Sequence, residues 1–165
     1  MPLRRLSPDN PLLPMDRLAQ ALAQSRLSCE MLAVMSFEVD DFAQVKERCG
    51  AEGCERYLGE VPRRASAALR DRDSVVHLGG EEFLILAIRI GSVAQTEAVS
   101  QRVLAKVGEP FELGGQWLSP AISLGVALYP DHARTPEALL VRCFLARQLA
   151  QALGKGRYAF APAHD

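Results

Sequence analysis

Four carboxylates of this chain are placed where they could act together. Glu81 and Glu82 are adjacent in VVHLGGEEFLIL (Val75 to Leu86), and Glu38 and Asp40 close the apolar run that begins at Met31. Neighbouring side chains of a strand point to opposite faces, so Glu81 and Glu82 cannot both enter a core, and at least one is presented beside the turn. Glu38 and Asp40, two residues apart, share a face. If the two segments pair, Glu38, Asp40 and Glu81 converge into a patch of hard oxygen ligands, an environment that suits Mg²⁺ carrying a nucleotide phosphate. A helix starting near Asp41 adds unpaired backbone N–H groups, and Gly79-Gly80 lets the backbone approach a ligand. The chemistry would be metal-assisted phosphoryl transfer. The same residues also fit an ordinary hairpin with glutamates on its solvated face, and spacing alone does not decide between the two.

The surrounding sequence specifies the elements that must position these groups. Residues 1–14, with Pro2, Pro8, Pro11 and Pro14, read as an arm or linker, 15–161 as one domain and 162–165 as a short tail. Leu18, Ala19, Leu22 and Ala23 fall at helical spacing and predict an amphipathic helix from Met15 to Leu27. Met31 to Val39 is a buried strand; Asp40 and Asp41 stop it and offer N-cap oxygens to a helix whose apolar face carries Phe42 and Val45. That helix is punctuated at Gly50 and resumes to about Arg70, with Pro62 either kinking it or opening a new segment. Val75 to Leu78 and Glu82 to Ile90 form a hairpin about Gly79-Gly80. Ser92 to Val107 is helical. A second hairpin runs from Phe111 to Leu113 through Gly114-Gly115 into a long arm, Trp117 to Leu128. Pro136 to Leu153 is helical, and Tyr158 to Phe160 is a last short strand. The order predicts an α+β domain with a mainly antiparallel sheet and helices packed against it.

Composition narrows the partners. The chain has 165 residues, 48% of them hydrophobic, and a formal net charge of −1, enough for one core but with no basic field for polymeric nucleic acid or an anionic membrane. Cys29, Cys49, Cys54 and Cys143 form no CxxC pair, and His77, His132 and His164 add no metal-ligand spacing, so packing thiols in a reducing, cytoplasmic setting are expected. No apolar run approaches the roughly 20 residues needed to cross a bilayer.

LGGEEFLIL, preceded by SFEVDDF and followed by AISLGVALYP, resembles the GGDEF family of diguanylate cyclases from about Leu13-Pro14 to Gly156-Arg157. The resemblance implies a nucleotide-cyclase-like palm that joins two GTP molecules into cyclic di-GMP, each GTP held by one subunit of a homodimer. It further implies Mg²⁺ or Mn²⁺ held by Glu38, the Val39 carbonyl and Glu81, with Glu82 acting near the attacking 3′-hydroxyl. Phe42, Lys46, Glu55, Gly79, Gly80 and Arg157 occupy GTP-binding positions. Several positions depart from the family pattern. Glu38 and Glu55 stand in place of aspartates, Ala43 and Leu153 in place of phosphate-binding lysines, and Lys46 in place of a guanine-reading asparagine whose paired donor and acceptor an ammonium cannot reproduce. Cys54 replaces a glycine, Tyr158 an asparagine and His77 an arginine; LTGLPNR is reduced to PLLPMDR. Each lost charge-assisted phosphate contact costs on the order of 1.5–3 kcal/mol, so weak GTP affinity is expected.

Arg70 and Asp73 form an RxxD at the offset from Gly79 of the family's product-inhibition site. There the arginine offers a fork and a stacking face to cyclic di-GMP, and the aspartate accepts from guanine N–H groups. Three functions follow as expectations: an impaired cyclase, an inactive cyclic di-GMP receptor using Arg70 and Asp73, or a protein-interaction scaffold. A sensor or effector domain outside this chain would be the natural partner of any of them. His77 reads as a strand residue at the edge of the site, Trp117 as core or hairpin surface, and Lys155 as a cation that lies off the face of the missing lysine.

Overall fold

The computed structural model describes residues 12–162; the predicted arm up to residue 11 and the last three residues of the tail lie outside them. The elements are α1 (Leu12–Ser28), β1 (Met31–Val39), α2 (Phe42–Ala67), β2 (Ser74–Gly79), β3 (Glu82–Ile90), α3 (Val93–Val107), β4 (Phe111–Leu113), β5 (Gln116–Leu118), β6 (Ile122–Tyr129), α4 (Pro136–Ala152) and β7 (Tyr158–Phe160). Five strands form one sheet in the order β2-β3-β1-β6-β7, antiparallel except for the β6–β7 pair. The α+β architecture is the one the element order predicts.

Alternation along β1 builds two cores. Ala33, Met35, Phe37 and Val39 enter a cluster with Tyr57, Val61 and Ala65 of α2 and Val99, Val103 and Val107 of α3. Leu32 and Val34 enter the opposite cluster, with Leu18 and Leu22 of α1 and Leu139, Cys143 and Ala146 of α4. By the same period Ser36 and Glu38 lie on the α4 side. This two-residue rhythm carries one carboxylate from the middle layer to the rim where α4 ends.

Several boundaries differ from the sequence reading. Helix α1 begins at Leu12, with Pro14 in its first turn, where the missing N–H has no intrahelical partner to lose. Its buried side is Leu18, Leu22 and Ser25, whereas Ala19 and Ala23 are exposed. Pro62 does not open a new segment, since α2 runs through it; the non-helical residue is Gly50, with φ of 67°, where the sequence reading placed the punctuation. The second hairpin is only β4 and β5, and Trp117 sits on its surface. The predicted long arm is interrupted at Ser119-Pro120-Ala121, and β6 joins the main sheet as a separate strand. Cys54 and Cys143 are packing groups, and burial pushes the Cys143 thiol up to about 12, but Cys29 is exposed. No helix among the described residues is long and apolar enough to cross a membrane.

Candidate functional site

The hairpin turn is built around positive φ. Gly79 pairs with Glu82, leaving Gly80-Glu81 as the loop, one residue later than Gly79-Gly80, because the ladder slips between His77 and Gly79. Gly79 and Gly80 have φ of 123° and 52°, and a Cβ on either would meet nothing within 4 Å. Conformation rather than crowding therefore asks for glycine here, and the space above the turn is open. His77 Nε2 lies 2.8 Å from the Gly80 carbonyl, and its ring stacks on Phe83, which stacks on Phe37. His77 thus braces the turn, in keeping with a strand residue at the edge of the site.

Register brings the turn to the end of β1. Glu38 lies opposite Glu82, and the Val39 N–H donates to the Glu81 carbonyl at 3.1 Å. Glu81 is half-buried, and its side chain has no partner among the described residues. Glu38 accepts from Gln151 Nε2 at 3.3 Å and faces Arg147 Nε at 3.7 Å. Arg147 reaches Glu82 through Nη2 at 3.4 Å and donates from Nη1 to Ser36 Oγ at 2.8 Å.

Asp40 is not part of this group. Its Oδ1 accepts from Ser123 Oγ at 2.7 Å and its Oδ2 from the Gly156 N–H at 2.9 Å, so this buried carboxylate ties β1 to β6 and to the α4–β7 loop. Two-residue alternation holds only while the strand continues, and the chain leaves β1 after Val39. Burial, assisted by the Asp40 charge, pushes the Tyr57 phenol up to about 12. Among the described residues no three or more His, Cys, Asp or Glu stand grouped to hold a metal. The donor chemistry of Glu38, Glu81 and the Val39 carbonyl suits a hard divalent cation. What differs from a ready site is the orientation of Glu38, which leans toward Arg147 and Gln151.

Of the positions that the resemblance assigns to GTP, Phe42 and Lys46 lie in the first turns of α2, Glu55 farther along it and Arg157 between α4 and β7. Phe42 is buried against Tyr57, with Lys46 Nζ 5.0 Å from the Phe42 ring centroid; Ala43, Lys46 and Glu55 are exposed. Asp41 precedes the helix in the left-handed region, φ 54°, and makes no side-chain cap, contrary to the N-cap expectation for it. Its carboxylate instead receives Lys155 Nζ at 2.7 Å, an ion pair that holds the lysine's pKa above its ordinary value. Lys155 lies beyond the end of α4 rather than on it, so its placement is set by the loop. Arg157 is exposed, with Nε donating to the Lys155 carbonyl at 3.2 Å, and Leu153 is an exposed apolar residue at the C-terminus of α4.

Arg70 and Asp73 meet, but each other first. Arg70 Nε and Nη2 donate to the two Asp73 oxygens at 3.0 and 3.1 Å, and the Arg70 and Ile88 N–H groups add bonds of 3.1 and 3.2 Å. Arg70 Nη2 also donates to the Ile88 carbonyl at 2.6 Å. The Asp73 side chain, fully buried, therefore clamps the α2–β2 loop onto β3. Asp73→Ala would strand the Ile88 N–H and the Arg70 fork, and is expected to cost about 2–4 kcal/mol in a urea titration.

Sequence reasoning missed Arg147 and Gln151, one turn apart on α4. A signal existed: Arg147 falls among Leu139, Cys143, Ala146 and Ala150, the buried face of α4, and a buried guanidinium requires partners.

The chain matches the family described as diguanylate cyclase, GGDEF domain, over residues 10–157. It is 32% identical over 150 residues to the diguanylate cyclase TpbB of Pseudomonas aeruginosa, covering 90% of this chain and 34% of that protein. It is 28% identical to MucR of the same organism, named a bifunctional diguanylate cyclase and cyclic di-GMP phosphodiesterase, over 88% of this chain and 21% of MucR. The chain thus spans about a third or less of these relatives. The isolated GGDEF domain of TpbB superimposes with a TM-score of 0.88 at 31% identity, covering 92% of this chain and 88% of that one. Sequence match, strand order and the placing of the GGEEF turn beside the end of β1 agree: this chain belongs to the GGDEF-domain family of diguanylate cyclases.

Proposed function

We propose that this domain condenses two molecules of GTP into cyclic di-GMP, at a low rate, with the nucleotides brought together in a homodimer. The observation that carries the reading is the register that sets Glu38 opposite Glu82 and bonds Val39 to Glu81. Glu38, Glu81 and the Val39 carbonyl would hold Mg²⁺ or Mn²⁺, which when bound neutralises triphosphate charge and raises the electrophilicity of the α-phosphorus. Around it the chain's own groups do the rest. Gly79 and Gly80 leave the turn backbone open to phosphate, Arg157 offers donors from the loop after α4, and Phe42 and Glu55 line the approach to the base. Glu82 is the carboxylate that takes the proton of the attacking 3′-hydroxyl as the new phosphodiester forms and pyrophosphate leaves.

Weakness follows from the same geometry. Ala43 and Leu153 supply no charge, Lys46 lies along Phe42, and Lys155 is paired with Asp41. A GTP substrate places the domain's work in the cytoplasm. Cyclic di-GMP binding through Arg70 and Asp73 is the second reading; it rests on the part of Arg70 that stays exposed, since the Asp73 oxygens are engaged within the chain. The test is an end-point assay of concentrated protein with GTP and Mn²⁺, the products separated by chromatography. Cyclic di-GMP is expected. Its absence from folded protein, with GTP recovered intact, would leave a receptor or scaffold.

A further inference from the structure

Arg147 stands inside the carboxylate group from which a metal site would be made. Its side chain is only 9% exposed, between Glu38, 28% exposed, and Glu82, 44% exposed. Its anchor is Ser36, at 2.8 Å, and its guanidinium lies 5.1 Å from the Phe144 ring centroid. The contact to Glu38 is different in kind. Arg147 Nε is buried, has no hydrogen-bond partner, and faces the Glu38 oxygen from 3.7 Å. A buried donor is normally satisfied, and one left open toward a carboxylate marks attraction without a closed bond. Glu38 is therefore drawn toward α4 while remaining releasable.

We infer that Arg147 is a built-in counter-cation: it holds Glu38 and Glu82 together when no divalent ion is bound and competes with that ion for Glu38. This rests on the metal assignment made above to Glu38, Glu81 and the Val39 carbonyl. The physical reason is charge balance. Three glutamates at the end of β1 and the hairpin turn repel one another, and a guanidinium fixed by Ser36 relieves that repulsion at the two it faces, Glu38 and Glu82. When a dication arrives, the fixed positive charge opposes it, so the domain needs a higher metal concentration than its glutamates alone would require. Arg147 is a positioning residue, acting on metal and substrate through Glu38 and Glu82.

The experiment is Mn²⁺ binding followed by the electron paramagnetic resonance of free Mn²⁺, without turnover. Arg147→Gln keeps a donor near Ser36 but removes the charge, and its Mn²⁺ affinity is expected to rise about tenfold. Arg147→Lys keeps the charge and should stay within about twofold of the parent. Adding Glu38→Gln to Arg147→Gln should abolish the gain. Equal affinity for the parent and a folded Arg147→Gln protein would overturn the inference and leave the metal site standing, provided Glu81→Gln still lowers parent binding. If no folded variant binds Mn²⁺, the metal assignment falls and this inference with it. Should the substitutions unfold the domain, the parent suffices. The Arg147 Nε–H resonance should shift as Mg²⁺ saturates, and an unmoved resonance at saturation would overturn the competition.

Discussion

Replacing Glu81 by glutamine is expected to lower cyclic di-GMP formation by at least about a hundredfold while leaving the melting temperature unchanged. The two halves of this result come from different observations. Glu81 projects from a two-residue loop, its side chain has no partner among the described residues, and the backbone bond from Val39 to its carbonyl does not depend on the side chain. The fold therefore loses nothing when the charge is removed. The proposed metal site, by contrast, would lose an anionic oxygen, and an amide oxygen is a poor substitute in a site to which only two carboxylates are assigned. A hundredfold loss corresponds to about 2.7 kcal/mol of transition-state stabilisation, modest for removal of a charged ligand. Turnover and thermal denaturation measured on the same preparation check both halves. A variant that keeps turnover would move the metal away from the hairpin turn, and one that melts early would show that Glu81 supports the turn itself.

The fold was legible wherever one period of hydrophobicity applied for long enough. MLAVMSFEV reads as a buried strand by its length and apolarity, and the GG between two branched apolar runs marks a hairpin; that the hairpin lies beside β1 and brings Glu82 opposite Glu38 is settled only by the strand order. Legibility stopped at strand ends. Asp40 was grouped with Glu38 by alternation, yet the chain bends after Val39 and the carboxylate bonds Ser123 and Gly156, residues far away in sequence. It stopped again where a polar pair can be satisfied either by a ligand or by the chain itself. Arg70 and Asp73 close on each other because Ile88, brought alongside by β3, completes their hydrogen bonds. Arg147 and Ser36 were each visible as polar residues on buried faces, but nothing local says that they meet each other beside Glu38. Long-range partners of this kind are set by how α4 lies on the sheet.

How closely α4 can lie is decided at Gly125, and there the second large effect is expected: Gly125→Ala should destabilise the domain by about 3 kcal/mol or more. Gly125 sits in β6 between Ser36 of β1 and Ala159 of β7. A methyl group on it would stand 2.8 Å from the Arg147 Cα and overlap the Arg147 N and the Cys143 carbonyl. All three are helix backbone, so no side-chain rotation can relieve the clash, and α4 must lift from the sheet. Lifting it also carries Arg147 away from Ser36 and Glu38, so the variant should lose order at the carboxylate group as well as global stability. For a domain of this size the loss amounts to a fall in melting temperature of roughly 6–12 °C. Gly59→Ala supplies the contrast. It lies in α2, exposed, with nothing within 4 Å of the added carbon, and helix propensity there favours alanine by about 1 kcal/mol. The same chemical change should therefore stabilise at residue 59 and destabilise at residue 125. Equal effects would mean that the close seat of α4 on β6, and with it the position of Arg147, does not limit the fold.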